Sequence, residues 1–526
     1  MYYRAVAAER SDHVVEAGRA PTGWKRWGIR LGAAGAGAAV VLAFPQSGLW
    51  WWAYAGLVPV VLLVEAAPSR REALWRCWSA GCGYFLVLYH WLLPQLSVFV
   101  VPLVLAVGLA WLPWGMAAWW LLRDPRSCRK VAAALVVVPS AWVVVEYLRS
   151  WDRLGGSWGL LGTSQWQVRP ILAVAALGGV WALSFLLVCT GTALAVVVSP
   201  GMAWGMRLGA AAVVVVLIGG AAGYGLSRSD PDVQGTLRIG GVQPGLVEDR
   251  RERLAAHEDL SRDLGAADVD AVVWGQSSVG FDLETESWAR DRLLALAREL
   301  DRPVLVNVDA RRPDGRIAKT MVVVRPDGLG ETYTKQRLVP FGEYIPLRSL
   351  LGWVERFSEA AEEDRVPGTG LTTVRLGDAT VGPLISYEST FPDMRRRHAR
   401  AGVDLTLVQA AATTFQGTWA LPQQASFEAV RAVESGRPAV LIAVSGTSAA
   451  FDARGRRLAW VDQHETGAWT VAVPLSQEKT LFVRLGDWVP VACFVFVVVA
   501  ALAACFSLGH RRQHRARSRP VAKGAR

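Results

Sequence analysis

Long runs of apolar residues, almost free of charge, occupy two parts of this chain. They extend over residues 29–226 and 486–508, whereas residues 227–485 mix polar and apolar positions as soluble domains do. A helix of about 20 apolar residues crosses a bilayer core about 30 Å thick. By this measure the sequence predicts eight membrane-spanning helices, near residues 31–45, 49–66, 73–92, 97–122, 131–148, 170–198, 208–226 and 486–508.

The charges of the loops predict how these helices are oriented, because Lys and Arg accumulate in cytoplasmic loops. With a cytoplasmic N-terminus, the inner loops are all basic: 70–76, 123–130, the stretch with Arg207 and the C-terminal tail. The prediction is therefore a basic cytoplasmic N-terminus at 1–28, seven helices within 29–226, an eighth at 486–508 and a cytoplasmic tail at 509–526. Residues 227–485 then lie outside the cytoplasm, in a multi-pass protein of the plasma membrane.

Within residues 227–485, short β-like runs alternate with amphipathic stretches, as in layered α/β folds. The predicted strands are 236–243, 271–275, 303–309, 319–325, 380–386, 404–409 and 439–445. The predicted helices are 248–264, 285–300, 392–401 and 422–436.

Composition and charge argue against several classes of function. The net charge of +11 lies largely at the two termini, beside the apolar runs. Membrane orientation and anionic headgroups account for it there, so no nucleic-acid partner is predicted. A basic cluster at 395–397 either meets lipid headgroups at the outer leaflet or forms a solvated helix face, and the solvated face is favoured. The seven histidines lack metal-ligand spacing, and neither a metal nor another cofactor is predicted.

All six cysteines lie in or beside the apolar runs. Residues 227–485 therefore contain neither a disulfide nor a cysteine nucleophile. Polar residues do follow predicted strands at Gln276, Lys335 and Ser386, where α/β folds display functional groups. A polar residue in such a place is, by itself, more often structural than catalytic.

Five segments in order carry a resemblance to a known family: WGQSS (274–278), YTKQRLVPFGEYIPL (333–347), LISYESTFPD (384–393), RAVESGRP (431–438) and VSGTSAAFDARG (444–455). They resemble the nitrilase-like domain of the apolipoprotein N-acyltransferases, and KQRLVPFGEYIP is the most specific piece. The segments FPQSGLWWW, WVVVEYLR with GGSWGLLGTSQ, and GVWALSF resemble that family's membrane spans. The resemblance extends from about residue 30 to residue 508.

The resemblance implies a polytopic α-helical membrane protein that carries an extracytoplasmic nitrilase-like αββα sandwich. In that family a cysteine thiolate takes an acyl chain from a phospholipid and passes it to the N-terminal diacylglyceryl-cysteine of a lipoprotein. A glutamate is the general base, and a lysine stabilises the oxyanion. The implied partners are a phospholipid acyl donor, diacylglyceryl lipoproteins and the membrane.

Two of the family's positions are retained and two are changed. Lys335 matches the lysine, and Glu343 matches an acidic residue retained near the centre. The nucleophile position holds Ser386 in place of cysteine, and the base position holds Gln276 in place of glutamate. The catalytic triad that the resemblance implies is therefore degenerate.

Two neighbouring segments also depart from the family. In place of the family's proline before the base stands Gly275, and the family's Asn-Asp-x-Trp segment reads AAATTFQ at 410–416.

The substitutions at the nucleophile and base positions weaken the chemistry. The hydroxyl of Ser386 is hardly ionised near neutral pH, and the amide of Gln276 cannot accept its proton. Losing a general base typically costs about 10²–10⁴ in rate. One rescue remains open, in which a desolvated, neutral Lys335 deprotonates Ser386.

Four further residues are candidates for substrate binding. Tyr387 and Glu388 either line the active centre or cap the helix that begins near Pro392. Glu146 and Arg149 end the fifth predicted span, where they contact a phospholipid headgroup, snorkel to the interface or form a mutual ion pair.

Two classes of function follow. One is a membrane acyltransferase that acylates lipoproteins, slowly or through Ser386 and Lys335. The other is a pseudoenzyme that keeps the fold as a scaffold for lipid or lipoprotein. The composition suggests an actinobacterial source, where relatives of this family associate with polyprenyl-phosphate mannose synthase, so that enzyme is a candidate partner.

Overall fold

The computed structural model describes residues 23–123, 126–154, 156–312, 314–353, 364–411 and 415–517. Most of the predicted basic N-terminus, half of the C-terminal tail and residues 412–414 of the divergent segment lie outside this part of the chain.

Every apolar run that predicts a membrane span is largely helical. The helices of this part of the chain are α1 (Gly23–Val40), α2 (Trp52–Ala55), α3 (Leu57–Glu65), α4 (Arg70–Leu88), α5 (Leu93–Leu96), α6 (Val100–Gly108), α7 (Leu112–Leu122), α8 (Cys128–Arg149), α9 (Arg169–Leu172), α10 (Ala175–Val198), α11 (Trp204–Ser227) and, after the mixed region, α18 (Trp488–Arg517).

Five helical segments of the described chain are long and apolar enough to cross a membrane: His90–Leu122, Cys128–Arg149, Ala175–Val198, Trp204–Ser227 and Trp488–Phe506. The first three predicted spans are not among these five segments. The Trp52–Glu65 segment is shorter, and α1 and α4 carry basic residues in their first turns. The chain is thus a membrane protein with several apolar helices, and the count of eight spans stays a prediction.

The region from 227 to 485 is called the sheet domain below, and its described residues form twelve strands. They are β1 (Thr236–Gln243), β2 (Ala271–Trp274), β3 (Val304–Arg311), β4 (Ile317–Arg325), β5 (Gly328–Thr334), β6 (Val374–Leu376), β7 (Ala379–Ile385), β8 (Leu405–Ala410), β9 (Ala439–Ala443), β10 (Ser448–Phe451), β11 (Arg457–Val461) and β12 (Gly467–Pro474). Its helices are α12 (Arg250–Arg262), α13 (Ser287–Leu300), α14 (Arg348–Leu351), α15 (Pro392–Arg400), α16 (Ala420–Ser435) and α17 (Leu481–Leu485).

These strands form two six-stranded sheets, in the orders β12-β1-β2-β3-β4-β5 and β11-β10-β9-β8-β7-β6. An apolar core that includes Ile239, Val273, Val381 and Leu407 lies between the sheets. A second core packs α13 on the first sheet through residues such as Leu293, while α16 contacts β9 and β10 of the second sheet. The layered αββα arrangement expected for this region is therefore present.

The sheet domain is joined to the membrane helices at a break inside α10. Gly179 has φ +69°, and a Cβ there would lie 2.7 Å from the ring of Phe482. The next amide, Val180 N–H, donates to the buried carboxylate of Glu434 in α16 over 2.6 Å. A carboxylate at the start of a helical segment satisfies a free N–H and complements the helix dipole, so α16 positions this span directly.

Candidate active site

The serine at the nucleophile position lies in a sharp turn at the end of β7. Ser386 has φ +50°, an uncommon conformation for a residue with a side chain. It is half-buried and begins a 3₁₀ turn, Ser386–Thr390. Backbone strain of this kind typically costs about 1–3 kcal/mol and persists only where the surroundings fix it.

The carboxylate of Glu388 fixes this turn. It is fully buried and accepts hydrogen bonds from the amides of Ile385 at 2.8 Å and Gln336 at 2.7 Å. The Arg337 amide at 3.1 Å and the Tyr333 hydroxyl at 2.9 Å complete the set. Burial raises the pKa of Glu388, and the three amides act in the opposite direction. Glu388 thereby ties the segment after β5 to the turn at Ser386.

Neither of the two residues after Ser386 caps the following helix. The residue before α15 is Phe391, and no side chain caps it. The hydroxyl of Tyr387 is 3.4 Å from the carbonyl oxygen of Asp152, and its ring packs edge-on against Phe391. Capping of α15, the second of the two alternatives, is therefore not observed, and a role for Tyr387 and Glu388 in lining the active centre stays a prediction.

Lys335 directly follows β5 and is fully enclosed, with 1% of its surface exposed. Its Nζ donates to the carboxylate of Glu343 over 2.8 Å, and Nζ of Lys319 lies 3.2 Å from the same carboxylate. Burial would raise the pKa of Glu343, but the two lysines bring it down to about 2. Burial also lowers the pKa of Lys335, opposed by Glu343. Two cations thus share one ionised carboxylate.

Gln276 follows β2, with 4% of its surface exposed. Its backbone N–H donates to the carbonyl of Ala410 over 3.0 Å, but within the described chain its side-chain oxygen has no hydrogen-bond partner. The strained position is the next residue, Ser277, at φ +58°. The hydroxyl of Ser277 donates to Asp309 over 2.9 Å.

Two buried amide side chains join the ends of the sheets. Nε2 of Gln409, in β8, donates to the carbonyls of Trp274 and Leu305 over 2.9 and 3.2 Å. Nδ2 of Asn307, in β3, donates to Oε1 of Gln409 over 3.1 Å. Because Gln409 pairs with Ile385 in the second sheet, the ends of β2, β3, β7 and β8 meet. Gln276 and Ser386 therefore lie at one end of the sandwich. The Gln336 amide, bound to Glu388, brings Lys335 and its partner Glu343 to the same end.

Gly275 explains one departure from the family pattern. A Cβ at this position would lie 2.4 Å from the Val444 amide nitrogen and 2.7 Å from the Ala410 carbonyl oxygen. These are backbone atoms that cannot rotate away. Only glycine fits where the two sheets approach this closely.

The sequence interpretation missed two charged residues of this centre, Asp309 and Lys319. Asp309 is 3.6 Å from Nζ of Lys319 and 3.3 Å from Nη1 of Arg365. A signal existed in the strand alternation, since Lys319 shares the inward face of β4 with the core residues Met321 and Val323. A lysine on a core-facing strand position indicates a polar site.

Glu146 and Arg149 lie apart from this group and hold the loop that follows α8. Arg149 donates to the carbonyl of Trp158 over 2.7 Å and to the hydroxyl of Tyr89 over 3.1 Å. Glu146 accepts from the Leu161 amide over 2.7 Å. Both side chains are buried, and the ion pairs of the described residues do not include one between them. The burial of both side chains does not fit snorkelling to the interface, and a role at a lipid headgroup stays a prediction.

Similarity to known proteins agrees with this arrangement. Residues 36–193 match the apolipoprotein N-acyltransferase N-terminal domain, and residues 243–481 match the carbon-nitrogen hydrolase family. The chain is 28% identical to an apolipoprotein N-acyltransferase of Geobacter metallireducens, over 89% of this chain and 94% of the relative. It is 29% identical to that of Azotobacter vinelandii, over 95% and 98%.

Among solved structures, an amidase from Nesterenkonia sp. aligns with 47% of this chain and 95% of its own, at 20% identity and a TM-score of 0.36. The two family matches account for both parts of the molecule, the membrane helices and the sheet domain. The matches with the two relatives extend over both parts of this chain, since they cover 89% and 95% of it. The chain belongs to the apolipoprotein N-acyltransferase family.

Proposed function

We propose that this protein binds the two molecules that the family reaction joins, a phospholipid and the N-terminal diacylglyceryl-cysteine of a lipoprotein, and holds them without efficient acyl transfer. In this proposal the chain crosses the plasma membrane eight times, with both termini in the cytoplasm. The helices at all the predicted spans and the basic inner loops support that topology. The sheet domain then faces the lipoproteins on the outer side.

The binding part of the site supports this proposal. Lys335 and Lys319 place two cations beside Glu343, and the Glu388 carboxylate holds the adjoining turn through four donors. A buried, fixed cation can bind the carbonyl oxygen of an ester, whether or not a nucleophile attacks it.

One observation carries the proposed loss of catalysis, namely the uncharged Gln276 side chain at the base position. An amide cannot take a proton from an attacking group, and the oxygen of Gln276 is buried without a partner in the described chain. The serine at 386 needs that proton transfer more than a cysteine would, because its hydroxyl stays protonated near neutral pH.

A slow acyltransferase is the second candidate, and the strained backbone of Ser386 favours it. In this reaction a neutral Lys335 takes the hydroxyl proton while the Ser386 oxygen attacks the ester carbon of the phospholipid. The lysophospholipid leaves with that proton, and an acyl-serine ester remains. The lipoprotein amine then attacks the ester, and its proton returns to Ser386. Burial, which lowers the pKa of Lys335, supports this role.

Complementation of a strain depleted of its own N-acyltransferase separates the two candidates, with mass spectrometry of lipoprotein N-termini as the readout. The wild-type chain is expected to give no triacylated lipoprotein, and Gln276→Glu/Ser386→Cys to restore some. The matched control, Gln276→Glu/Ser386→Ala, keeps the base without a nucleophile and is expected to give none.

Triacylation by the wild-type chain would refute the non-catalytic proposal. Loss of that activity in Ser386→Ala and in Lys335→Met would then support the serine and lysine route. The proposed mannose synthase partner is tested separately, by co-purification of polyprenyl-phosphate mannose synthase with the full-length protein from membranes of the native cell. Recovery of the protein without that enzyme would remove it as a partner.

A further inference from the structure

A second serine of the centre lies in a strained turn after a strand. Ser277 follows β2 and the residues Gly275 and Gln276, and its φ is +58°. In many hydrolases the nucleophilic serine occupies such a turn, in a G-x-S segment after a strand, where its oxygen is displayed. A β-bridge between Val279 and Val308 follows here, in place of the helix found in those hydrolases. The backbone at Ser277 thus has the conformation that displays a nucleophile.

A carboxylate lies within reach of this hydroxyl. Oγ of Ser277 donates to Oδ2 of Asp309 over 2.9 Å. Nη1 of Arg365 lies 3.3 Å from the other oxygen of that carboxylate, Oδ1. A nucleophile within hydrogen-bond reach of a base that a third group orients is the arrangement used in covalent catalysis. Ser277, Asp309 and Arg365 form this arrangement.

A cation adjoins the same carboxylate oxygen. Nζ of Lys319 is 3.6 Å from Oδ2 of Asp309, the atom that accepts from Ser277. A bond of 3.2 Å to Glu343 also holds Lys319 in place. A fixed cation beside a nucleophile stabilises the negative charge that develops on a carbonyl oxygen under attack. Lys319 is in a position to serve in this way.

The groups around Ser277 are more accessible than the family's catalytic positions. The side chains of Asp309 and Lys319 are 16% and 14% exposed, and Ser277 is half-buried. Lys335 and Gln276, by contrast, are 1% and 4% exposed. A reagent in water therefore has better access to Ser277 and Asp309 than to Lys335 and Gln276.

We propose that Ser277 is a nucleophile, with Asp309 as its general base, and that it hydrolyses carboxylic esters. Asp309 takes the hydroxyl proton while the Ser277 oxygen bonds to the ester carbon, beside Lys319. The bond to the leaving alcohol then breaks, and the alcohol takes the proton from Asp309. Water attacks the acyl-serine and gives a proton to Asp309; the acid leaves, and that proton returns to Ser277. Ester and water thus become acid and alcohol.

This activity goes beyond the proposed function, because it uses neither Ser386 nor Gln276 and passes the acyl group to water in place of a lipoprotein amine. A carboxylate is a weak base for a hydroxyl, so the turnover is expected to be slow. The two proposals fail separately, since complementation measures triacylated lipoproteins and the assays below measure chemistry at Ser277.

A fluorophosphonate with a short alkyl chain tests the nucleophile, because it phosphonylates activated serines. The full-length protein in detergent is treated with this probe and digested with trypsin, and fragmentation of the peptide 263–290 locates the adduct by mass spectrometry. The adduct is expected at Ser277 in the folded protein and nowhere in this peptide after heat denaturation. An adduct confined to Ser386, or none at all, would overturn the proposal.

Variants then test the nucleophile and the base, with hydrolysis of p-nitrophenyl butyrate as a second readout. Ser277→Gly, which accepts the positive φ without strain, is expected to lose the adduct and to hydrolyse the ester at the uncatalysed rate. Asp309→Asn is expected to slow both reactions about 100-fold, the loss of a general base. Wild-type rates in either variant would refute its role.

Matched controls lie in the same domain. Ser287→Ala removes an exposed serine of the same peptide, and Asp314→Asn removes a carboxylate that pairs with Arg316. Both are expected to react as the wild type, and a loss in either would mean that the probe reads general damage to the domain. Should Asp309→Asn unfold, the wild type in heavy water replaces it. Slower hydrolysis is expected there because Asp309 moves a proton, and an equal rate would refute general-base catalysis.

Discussion

The segments that follow β7 and β2 lie at the same end of the sheet domain but are held in different ways. After β7, Ser386 occupies a strained turn that Glu388 stabilises with four hydrogen bonds. After β2, Gln276 is held by its backbone, and its side-chain oxygen is buried without a partner in the described chain. The turn after β7 is thus fixed through a buried side chain, whereas the segment after β2 is fixed through its backbone. The proposed loss of catalysis predicts that a substitution costs more stability at the first position than at the second.

The largest expected effect tests the support on the nucleophile side. Glu388→Ala removes the acceptor of four buried donors, and we expect a loss of about 3–5 kcal/mol in the free energy of unfolding. Thermal unfolding of the purified protein in detergent measures it. A loss below about 1 kcal/mol would mean that water replaces the carboxylate and that the turn is not rigidly held.

A second test compares the strands behind the two positions. His257 packs against Trp274 of β2, and His398 lies against Gly382 of β7. Burial lowers the pKa of both histidines to about 4, below the value near 6.5 of an unfolded chain. Both are therefore neutral in the fold, and their contribution to stability is complete above pH 6.5 and lost as the pH falls toward 4.

Each histidine is expected to cost about 2–3 kcal/mol of stability by pH 4.5. Denaturant unfolding at pH 7.0 and 4.5 measures the loss. Replacing one histidine, in His257→Gln or His398→Gln, is expected to halve the loss of stability between the two pH values. An equal loss in the variants and the wild type would show that carboxylates, and not these histidines, control the pH dependence.

A smaller effect tests the strain at the turn. Ser386→Gly relieves the positive φ, and we expect the protein to gain about 1 kcal/mol in stability. The matched substitution at a neighbouring buried position with ordinary backbone, Ser389→Gly, is expected to lose stability. A loss in Ser386→Gly would mean that the serine hydroxyl stabilises the turn.

The smallest effect is expected on the base side. Gln276→Met keeps the length of the side chain and removes an acceptor without a partner, so stability is expected to stay equal or to rise by up to about 1 kcal/mol. The melting temperature measures it. A loss of more than about 2 kcal/mol would show that the amide is bound as firmly as Glu388, and the contrast between the two segments would fail.

Much of the fold could be predicted from the sequence, and the failures have a common cause. All seven predicted strands are present, within a few residues, as are the four predicted helices. Five strands were missed, and four of them, β5, β6, β11 and β12, are the edges of the two sheets. Edge strands are partly exposed, so their apolar alternation is weak. The fifth missed strand, β10, is central and buried but only four residues long, so it shows too little of a pattern to be predicted.

The candidate site was predictable only in part. Lys335 and Ser386 could be found because they directly follow strands in recognisable segments. The roles of Asp309 and Lys319 could not be identified from the sequence, because their partners Ser277 and Glu343 lie in other segments of the chain. The role of Glu388 in fixing the turn could not be predicted either, because the Gln336 amide that it binds lies in the separate segment after β5.

By itself, the sequence determined the apolar helices, the central strands and the residue types at the nucleophile and base positions, because periodicity and composition are local properties. Only the tertiary structure decided that the Gln276 oxygen has no partner among the described residues, that two lysines share Glu343, and that a charged cavity opens beside α8 and α18. These features depend on contacts between segments up to hundreds of residues apart. No local pattern records such contacts, since the folded chain alone brings their partners together.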